Sequence, residues 1–214
     1  MSLLNKNRTN YLKKERRFRS LIKAFCPLLP ALISNYRSRL TERIILEISY
    51  GEITLDESIF LGKLIRKIQH SGPIIEIGTL FGRSTLIITA NKTQEKELIT
   101  VDNYSWNPLG LSPKMHFRIT NNVLSEAGKK FNIKILKQDK NDFYSTYNGN
   151  SPSLVFLDAI HNYAETKTDI LWAKRVNAHI ICGHDYDEQL HPAVVKAVHE
   201  FGGPRKLYGS IWVL

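Results

Sequence analysis

Short continuous apolar runs alternate along the chain with longer segments whose apolar residues return every three to four positions. The runs are Ile74–Ile77, Leu98–Asp102, Ile133–Leu136, Leu154–Asp158 and the stretch from Ile180. Apolar runs of this length bounded by turn formers predict parallel strands buried on both faces, and the three-to-four repeat predicts helices packed along one side. Thr54-Leu-Asp-Glu57 is a capping box, with Thr54 at the N-cap and Glu57 at N3. The helix it opens carries Phe60, Leu61, Leu64, Ile65 and Ile68 on one face and is expected to end near His70-Ser71-Gly72. Further helical segments are expected over Ser84–Ala90, Pro113–Lys129 and Phe143–Tyr147, with a last strand over Ile211–Leu214. Strands and helices in alternation predict a doubly wound, mostly parallel α/β sheet with helices on both faces.

Upstream of residue 49 the pattern changes. Leu12, Phe18, Leu21, Ile22 and Phe25 fall near helical spacing between basic residues, Pro27 and Pro30 interrupt the helix, and a second helical segment is expected over Ala31–Leu46. Residues 1–43 hold eleven Lys or Arg against Glu15 and Glu42, which accounts for nine of the ten net positive charges of the 214-residue chain. The body is therefore nearly neutral. The expected division is a basic helical arm over residues 1–48 and one α/β domain over 49–214. An arm of this kind suits an anionic membrane surface, a polyanion, or packing on the body or on a second copy of the chain. No apolar run reaches the ~20 residues of a membrane span, and the basic N-terminal region is not followed by an apolar core and a small-residue cleavage site. Cys26 and Cys182, the two cysteines, imply no disulfide framework, so a reducing, cytoplasmic setting is expected, with peripheral membrane contact through the arm.

Candidate chemistry gathers at the ends of the strands. Glu76-Ile-Gly78-Thr79-Leu-Phe-Gly82-Arg-Ser84 joins a strand to a helix through a glycine turn, where backbone approaches a ligand closely and the first N–H groups of the helix face it. The glycines are spaced G-x-x-x-G and not G-x-G-x-x-G, and Glu76 precedes the first. An acid there repels a pyrophosphate and suits a ligand with positive charge. S-adenosylmethionine, with its sulfonium and α-ammonium, is such a ligand. Asp102, at the tip of the second strand, is placed to accept ribose hydroxyls, or else serves as a turn aspartate. Tyr104 and Trp106, in the loop Asn103–Pro113, are candidates for stacking on adenine or covering a substrate, or for burial against the next helix. Asp158 and Asp185 tip two later strands, with His161 and His184 beside them. Hard oxygen ligands converging in that crevice suit Mg²⁺ or another divalent cation, and the imidazoles add a base or a nitrogen ligand.

Together these segments resemble the class I S-adenosylmethionine-dependent methyltransferases. The form E-x-G-x-x-x-G-x-S over Glu76–Ser84 is similar to their motif I. Phe-Leu-Asp158-Ala-Ile-His161-Asn-Tyr163 and Gly183-His184-Asp185-Tyr186, followed by Pro192 to Phe201, resemble the branch related to macrocin-type sugar O-methyltransferases and cephalosporin hydroxylase-like proteins. The resemblance spans about residues 50–214 and implies a seven-stranded sheet with a final antiparallel strand. It implies cofactor contacts at Glu76, Gly78, Thr79, Gly82, Ser84, Asp102 and Asp139, the last toward adenine, although Asp139 also reads as a turn residue. It implies metal ligation by Asp158 and Asp185, joined by His184, with His161 as general base. Two departures stand out: His184-Asp185 where related sugar enzymes carry an acidic pair, and Ala193 after Pro192 where they carry glycine.

The expected activity is metal-assisted O-methylation of a hydroxyl on a sugar or other small polar metabolite. The alternatives are a nucleic-acid methyltransferase that uses the basic arm, and a non-catalytic binding module that keeps the fold. The nearly neutral body and the absence of an N-P-P-Y-type motif speak against the first, and the intact motif residues against the second.

Overall fold

A computed structural model of the chain describes residues 45–46 and 49–214, so the arm helices expected over Tyr11–Phe25 and most of Ala31–Leu46 lie outside the described residues. The body is a seven-stranded sheet in the order β3-β2-β1-β4-β5-β7-β6. Its strands are β1 (Ile74–Ile77), β2 (Leu98–Asp102), β3 (Ile133–Lys137), β4 (Leu154–Leu157), β5 (Ile181–Gly183), β6 (Lys206–Tyr208) and β7 (Ile211–Val213). The first five run parallel, and β7 is antiparallel to both β5 and β6. The described helices are α1 (Leu55–Arg66), α2 (Arg83–Asn91), α3 (Pro113–Lys130), α4 (Lys140–Thr146), α5 (Tyr163–Arg175) and α6 (Pro192–His199). This is the Rossmann-like architecture expected from the run of strands and helices.

Strands β1, β2, β4 and β5 are buried on both sides because alternate residues feed two cores, whereas β3, at the sheet edge, is only partly covered. Ile74, Leu98, Leu154 and Phe156 meet Leu61, Leu86 and Leu124 from α1, α2 and α3. Ile75, Ile77, Val101, Val155 and Leu157 meet Phe143, Ile170, Trp172 and Val198 from α4, α5 and α6. Ile45 belongs to the first core, so the packed body includes residues upstream of the expected boundary at 48.

The helix boundaries follow from local chemistry. Both halves of the Thr54–Glu57 capping box form. α1 stops at Arg66 and not near Gly72, because the Lys67 and Ile68 amides bond back to Leu64 and Ile65 and tighten the last turn. α4 starts at Lys140, ahead of the expected Phe143, because Asp139 caps it by accepting from the Asn141 amide. Helices α5, capped by Asn162, and α6, with Pro192 in its first turn, fill the crossovers between β4, β5 and β6.

One close backbone contact joins the ends of the two central strands. Gly78 closes β1 with φ +97°, and a Cβ built there would collide with the carbonyl oxygen of Asp158, just past β4. Glycine is required twice, for the dihedral and for the space. Gly78→Ala is expected to cost more than about 2 kcal/mol, a fall in Tm of roughly 5 °C or more, readable by thermal unfolding.

Candidate active site

Strand order reverses between β1 and β4, and the crevice at their carboxyl ends opens into a cavity of about 660 Å³. Gly78, Thr79, Ser84, Asp102 and Asp139 line one end of it, and Asp158, His161, His184 and Asp185 line the other. Nine of the eleven expected site residues are thus gathered around one space. Glu76 and Gly82 are not on its wall.

Their absence has a simple origin. Side chains alternate across a strand, so Glu76 faces α2 while its neighbour Ile77 reaches the cavity. Glu76 is 0% exposed. Its Oε2 accepts from the Thr85 and Thr100 hydroxyls, and burial pushes its carboxyl up to about 7 against the hydrogen bonds of Ser84, Thr100 and Thr85. Glu76 thus supports the turn from beneath through Oε2, while Oε1 has no hydrogen-bond partner among the described residues. Gly82 is the N-cap of α2 at φ +87°, and the Leu124 side chain packs where a Cβ would stand.

The glycine turn is held by partners that local patterning does not show. Asp102 Oδ2 accepts from the amides of Thr79 and Leu80, each at 2.9 Å, and Oδ1 accepts from the Tyr104 amide at 2.6 Å. Asp102 thus satisfies two amides of the glycine turn ahead of α2, whose first residue is Arg83. Leu80 sits at φ +47°, and its carbonyl takes hydrogen bonds from His116 Nε2 at 2.9 Å and Thr120 Oγ1 at 2.6 Å. The Arg83 guanidinium donates to the carbonyls of Leu46, Ser49, Gly51 and Ile53, strapping the chain before α1 onto the turn. Of the two loop aromatics, Tyr104 is fully buried against His116 and Phe117, whereas Trp106 is 66% exposed and lines the cavity.

At the opposite end, Asp185 adopts φ +60°, a left-handed conformation that an aspartate tolerates and that persists where surrounding structure enforces it. His161 Nε2 lies 2.9 Å from Asp185 Oδ2 and 3.7 Å from Asp158 Oδ1. His184 Nδ1 lies 3.2 Å from Asp185 Oδ1 and 3.9 Å from Asp158 Oδ1. Burial would lower both imidazoles, but the carboxylates overcome it: Asp158 and Asp185 raise His161 to about 10, and Asp185, Glu57 and Asp158 raise His184 to about 11. Asp185 is buried, yet the two neighbouring imidazoles hold its carboxyl below the usual range.

The donor set fits a divalent cation. One ligand atom from each of Asp158, His184 and Asp185 lies within 4.8 Å of the others, and the same holds for His161, Asp185 and His191. His161 Nε2 is buried and near Asp185, yet it makes no hydrogen bond of acceptable direction.

A Rossmann-like sheet ending in this strand order, with a glycine turn facing an acidic cluster across the switch point, defines a class I methyltransferase. Residues 75–186 match the family described as "Methyltransferase domain", and the chain belongs to that family: it is an S-adenosylmethionine-dependent methyltransferase by fold and family. No curated protein matches the chain in sequence. Among solved structures, an O-methyltransferase from Bacillus cereus in complex with S-adenosylhomocysteine is 16% identical, with 85% of this chain and 86% of that one covered and a TM-score of 0.57. TomG, an O-methyltransferase from Streptomyces achromogenes solved with S-adenosylmethionine, is 18% identical over 80% and 75%, with a TM-score of 0.55. CalS11, a TDP-rhamnose 3′-O-methyltransferase of calicheamicin biosynthesis, is 16% identical over 90% and 93%, also with a TM-score of 0.55. At these identities the likeness is one of fold.

The imidazoles give the stability a pH dependence. Their folded pKa values lie above the unfolded value near ~6.5, so the stability they lend to the metal-free protein is complete below that pH. It declines as pH rises and is gone once pH passes about 10 for His161. Urea midpoints in chelator are expected to fall between pH 6 and pH 10, and His161→Gln is expected to flatten that fall.

Proposed function

We propose that the protein transfers the methyl group of S-adenosylmethionine to a hydroxyl of a sugar or other small polar metabolite, with a divalent cation assisting. What carries this reading is the convergence of Asp158, His161, His184 and Asp185 at one end of a cavity whose other end is the glycine turn. The donor fits along Gly78, Thr79 and Ser84, its ribose toward Asp102 Oδ1, which accepts from Tyr104 alone among the described groups, and its adenine toward Asp139. Asp139 caps α4 and also lines the cavity, which supports the adenine role.

The reaction is a direct displacement. The acceptor oxygen attacks the methyl carbon, the C–S bond breaks, and S-adenosylhomocysteine and a methyl ether leave with one proton to be taken up. His161 is the group placed to take it. Beside Asp158 and Asp185 it already carries a proton at neutral pH, so its base form requires further positive charge near those carboxylates. A divalent cation held by Asp158, His184 and Asp185 supplies that charge and lowers the pKa of an acceptor hydroxyl.

The cavity wall narrows the acceptor. Its acids are Glu52, Asp102, Asp139, Asp158, Glu165 and Asp185, against the cations Arg83 and Lys140. Arg83 is engaged with backbone carbonyls, and Lys140 with Asp169 and Glu165. The acids outnumber these two cations by four, and the protons on His161 and His184 halve that excess in the metal-free site. Trp106, Ile160 and Leu190, exposed by 66%, 50% and 76%, line the same cavity. We read the acceptor as uncharged, with its hydroxyl directed inward and an apolar face, such as the C–H face of a sugar, against Trp106. The acid excess also counts against a nucleic-acid substrate at this site.

Calorimetry with S-adenosylmethionine and S-adenosylhomocysteine tests the donor, and absence of affinity for both would sink the reading. Asp158→Ala is expected to lower kcat by ~10²–10⁴-fold with donor affinity kept within about twofold. Trp106→Ala is expected to raise the acceptor KM by roughly tenfold with little change in kcat, and an uncharged glycoside to outperform its phosphorylated counterpart.

No helix among the described residues is long and apolar enough to cross a membrane. For the arm we propose contact with an anionic membrane surface or other polyanion, or with a second copy of the chain. Deleting residues 1–43 is expected to leave donor affinity intact. It should abolish co-sedimentation with phosphatidylglycerol vesicles if the arm meets membranes, and change the mass measured by light scattering if it joins two chains.

A further inference from the structure

Glu57 does more than close its capping box. It is a buried carboxylate at the start of α1, and its two oxygens face in different directions. Oε2 accepts from the Thr54 amide and hydroxyl, at 2.9 Å and 2.8 Å. Oε1 reaches across 153 positions of sequence to the turn between β6 and β7, where it accepts from the Ser210 amide at 2.7 Å and the Ser210 hydroxyl at 2.8 Å. The turn is shaped for this contact: Gly209 sits at φ +57°, and a Cβ there would collide with Glu57 Oε1. Ser210 Oγ in turn lies 2.8 Å from His184 Nε2.

Counting protons along this line fixes the imidazole. A serine hydroxyl has one proton, and that of Ser210 is given to Glu57. The Ser210 oxygen is therefore left as an acceptor toward His184, and Glu57 Oε2, 3.5 Å from the same nitrogen, is an acceptor too. Nε2 must carry the hydrogen. The backbone holds the ring from a further side, since the Trp212 indole donates to the His184 carbonyl at 3.0 Å. What remains is Nδ1, which faces Asp158 and Asp185 and their oxygens. In the metal-free protein a proton on Nδ1 meets the two carboxylates, and a cation between the three groups would take that proton's place on the Nδ1 lone pair.

We propose that Glu57 and Ser210 are positioning residues that hold His184 with Nε2–H toward Ser210, so that its Nδ1 lone pair joins Asp158 and Asp185 as a nitrogen donor for a divalent transition metal. The proposal rests on the metal-assisted reading of the site. It goes beyond it by assigning two residues outside the cluster and by selecting the ion. Imidazole with carboxylates suits Mn²⁺ or Zn²⁺, whereas Mg²⁺ takes oxygen. Such supporting hydrogen bonds typically tune metal affinity by ~10–100-fold.

The test is calorimetry of the full-length protein with Mn²⁺ and with Mg²⁺, alongside Ser210→Ala, Ser210→Thr and Asp158→Ala. The wild type is expected to bind Mn²⁺ at least tenfold more tightly than Mg²⁺. Ser210→Ala is expected to weaken Mn²⁺ by ~10-fold or more with S-adenosylmethionine affinity unchanged, and Ser210→Thr, which keeps the hydroxyl, to restore it. Ser210→Ala spares the capping box, so it remains informative even where Glu57→Gln fails to fold. In the Zn²⁺-loaded protein, ¹⁵N correlation spectra should show His184 protonated at Nε2 and metal-bound at Nδ1. If Ser210→Ala and Glu57→Gln keep full Mn²⁺ affinity while Asp158→Ala loses it, the relay is wrong and the metal reading stands. The opposite tautomer, or a preference for Mg²⁺, overturns the relay as well. A wild type that binds neither ion overturns both.

Discussion

The site depends on how closely two parallel strands can approach at the point where the sheet changes direction. Gly78 lets β1 end against the Asp158 carbonyl with no side chain between them. That contact sets the distance between the turn that would cradle a donor and the carboxylates that would meet an acceptor. It is a backbone constraint, so loops and surface charges can vary around it while the reacting centres stay in register. The rest of the architecture serves it: two apolar cores clamp the strands from both faces, and Asp102 locks the turn from the side.

Much of this was legible in sequence because it is written locally. Apolar runs that end in acids gave the parallel strands and their tips, and the Thr54–Glu57 box gave the start of α1 within a residue. The nine residues that reached the cavity did so because strand ends at a switch point converge whatever the loops do. The placing of Glu76 off the cavity wall has a reason that is also in the sequence. Ile75 and Ile77 share one face of β1, and an acid between them must point to the other. What stayed hidden concerns distance along the chain. No local pattern links Glu57 to Ser210, Arg83 to the carbonyls before α1, or His116 to the Leu80 carbonyl, because each pairing exists only after the sheet has formed. Tyr104 and Trp106 sit in the same loop and looked alike; one was taken into the core by rings of α3, and the other was left at the mouth.

Electrostatics divides the molecule into two regimes. The chain is strongly basic, yet the cavity is acidic, and the cationic side chains on its wall are already committed to neighbours. Net charge therefore says where the whole protein would be drawn and nothing about what enters the site. Inside, two imidazoles share the Asp185 carboxylate, so none of these three groups titrates alone. Assigning acid and base roles at this centre is a statement about the cluster and its counter-charges, not about a single histidine.

Arg83 carries a consequence for anyone reshaping the chain. Its guanidinium draws on carbonyls from Leu46 to Ile53, so the stiffness of the donor-side turn is borrowed from a segment that straddles the expected boundary between arm and domain. A fusion partner or a shortened N-terminus spliced in at that segment would leave every motif intact and still loosen the pocket floor. The useful cut lies before Ile45.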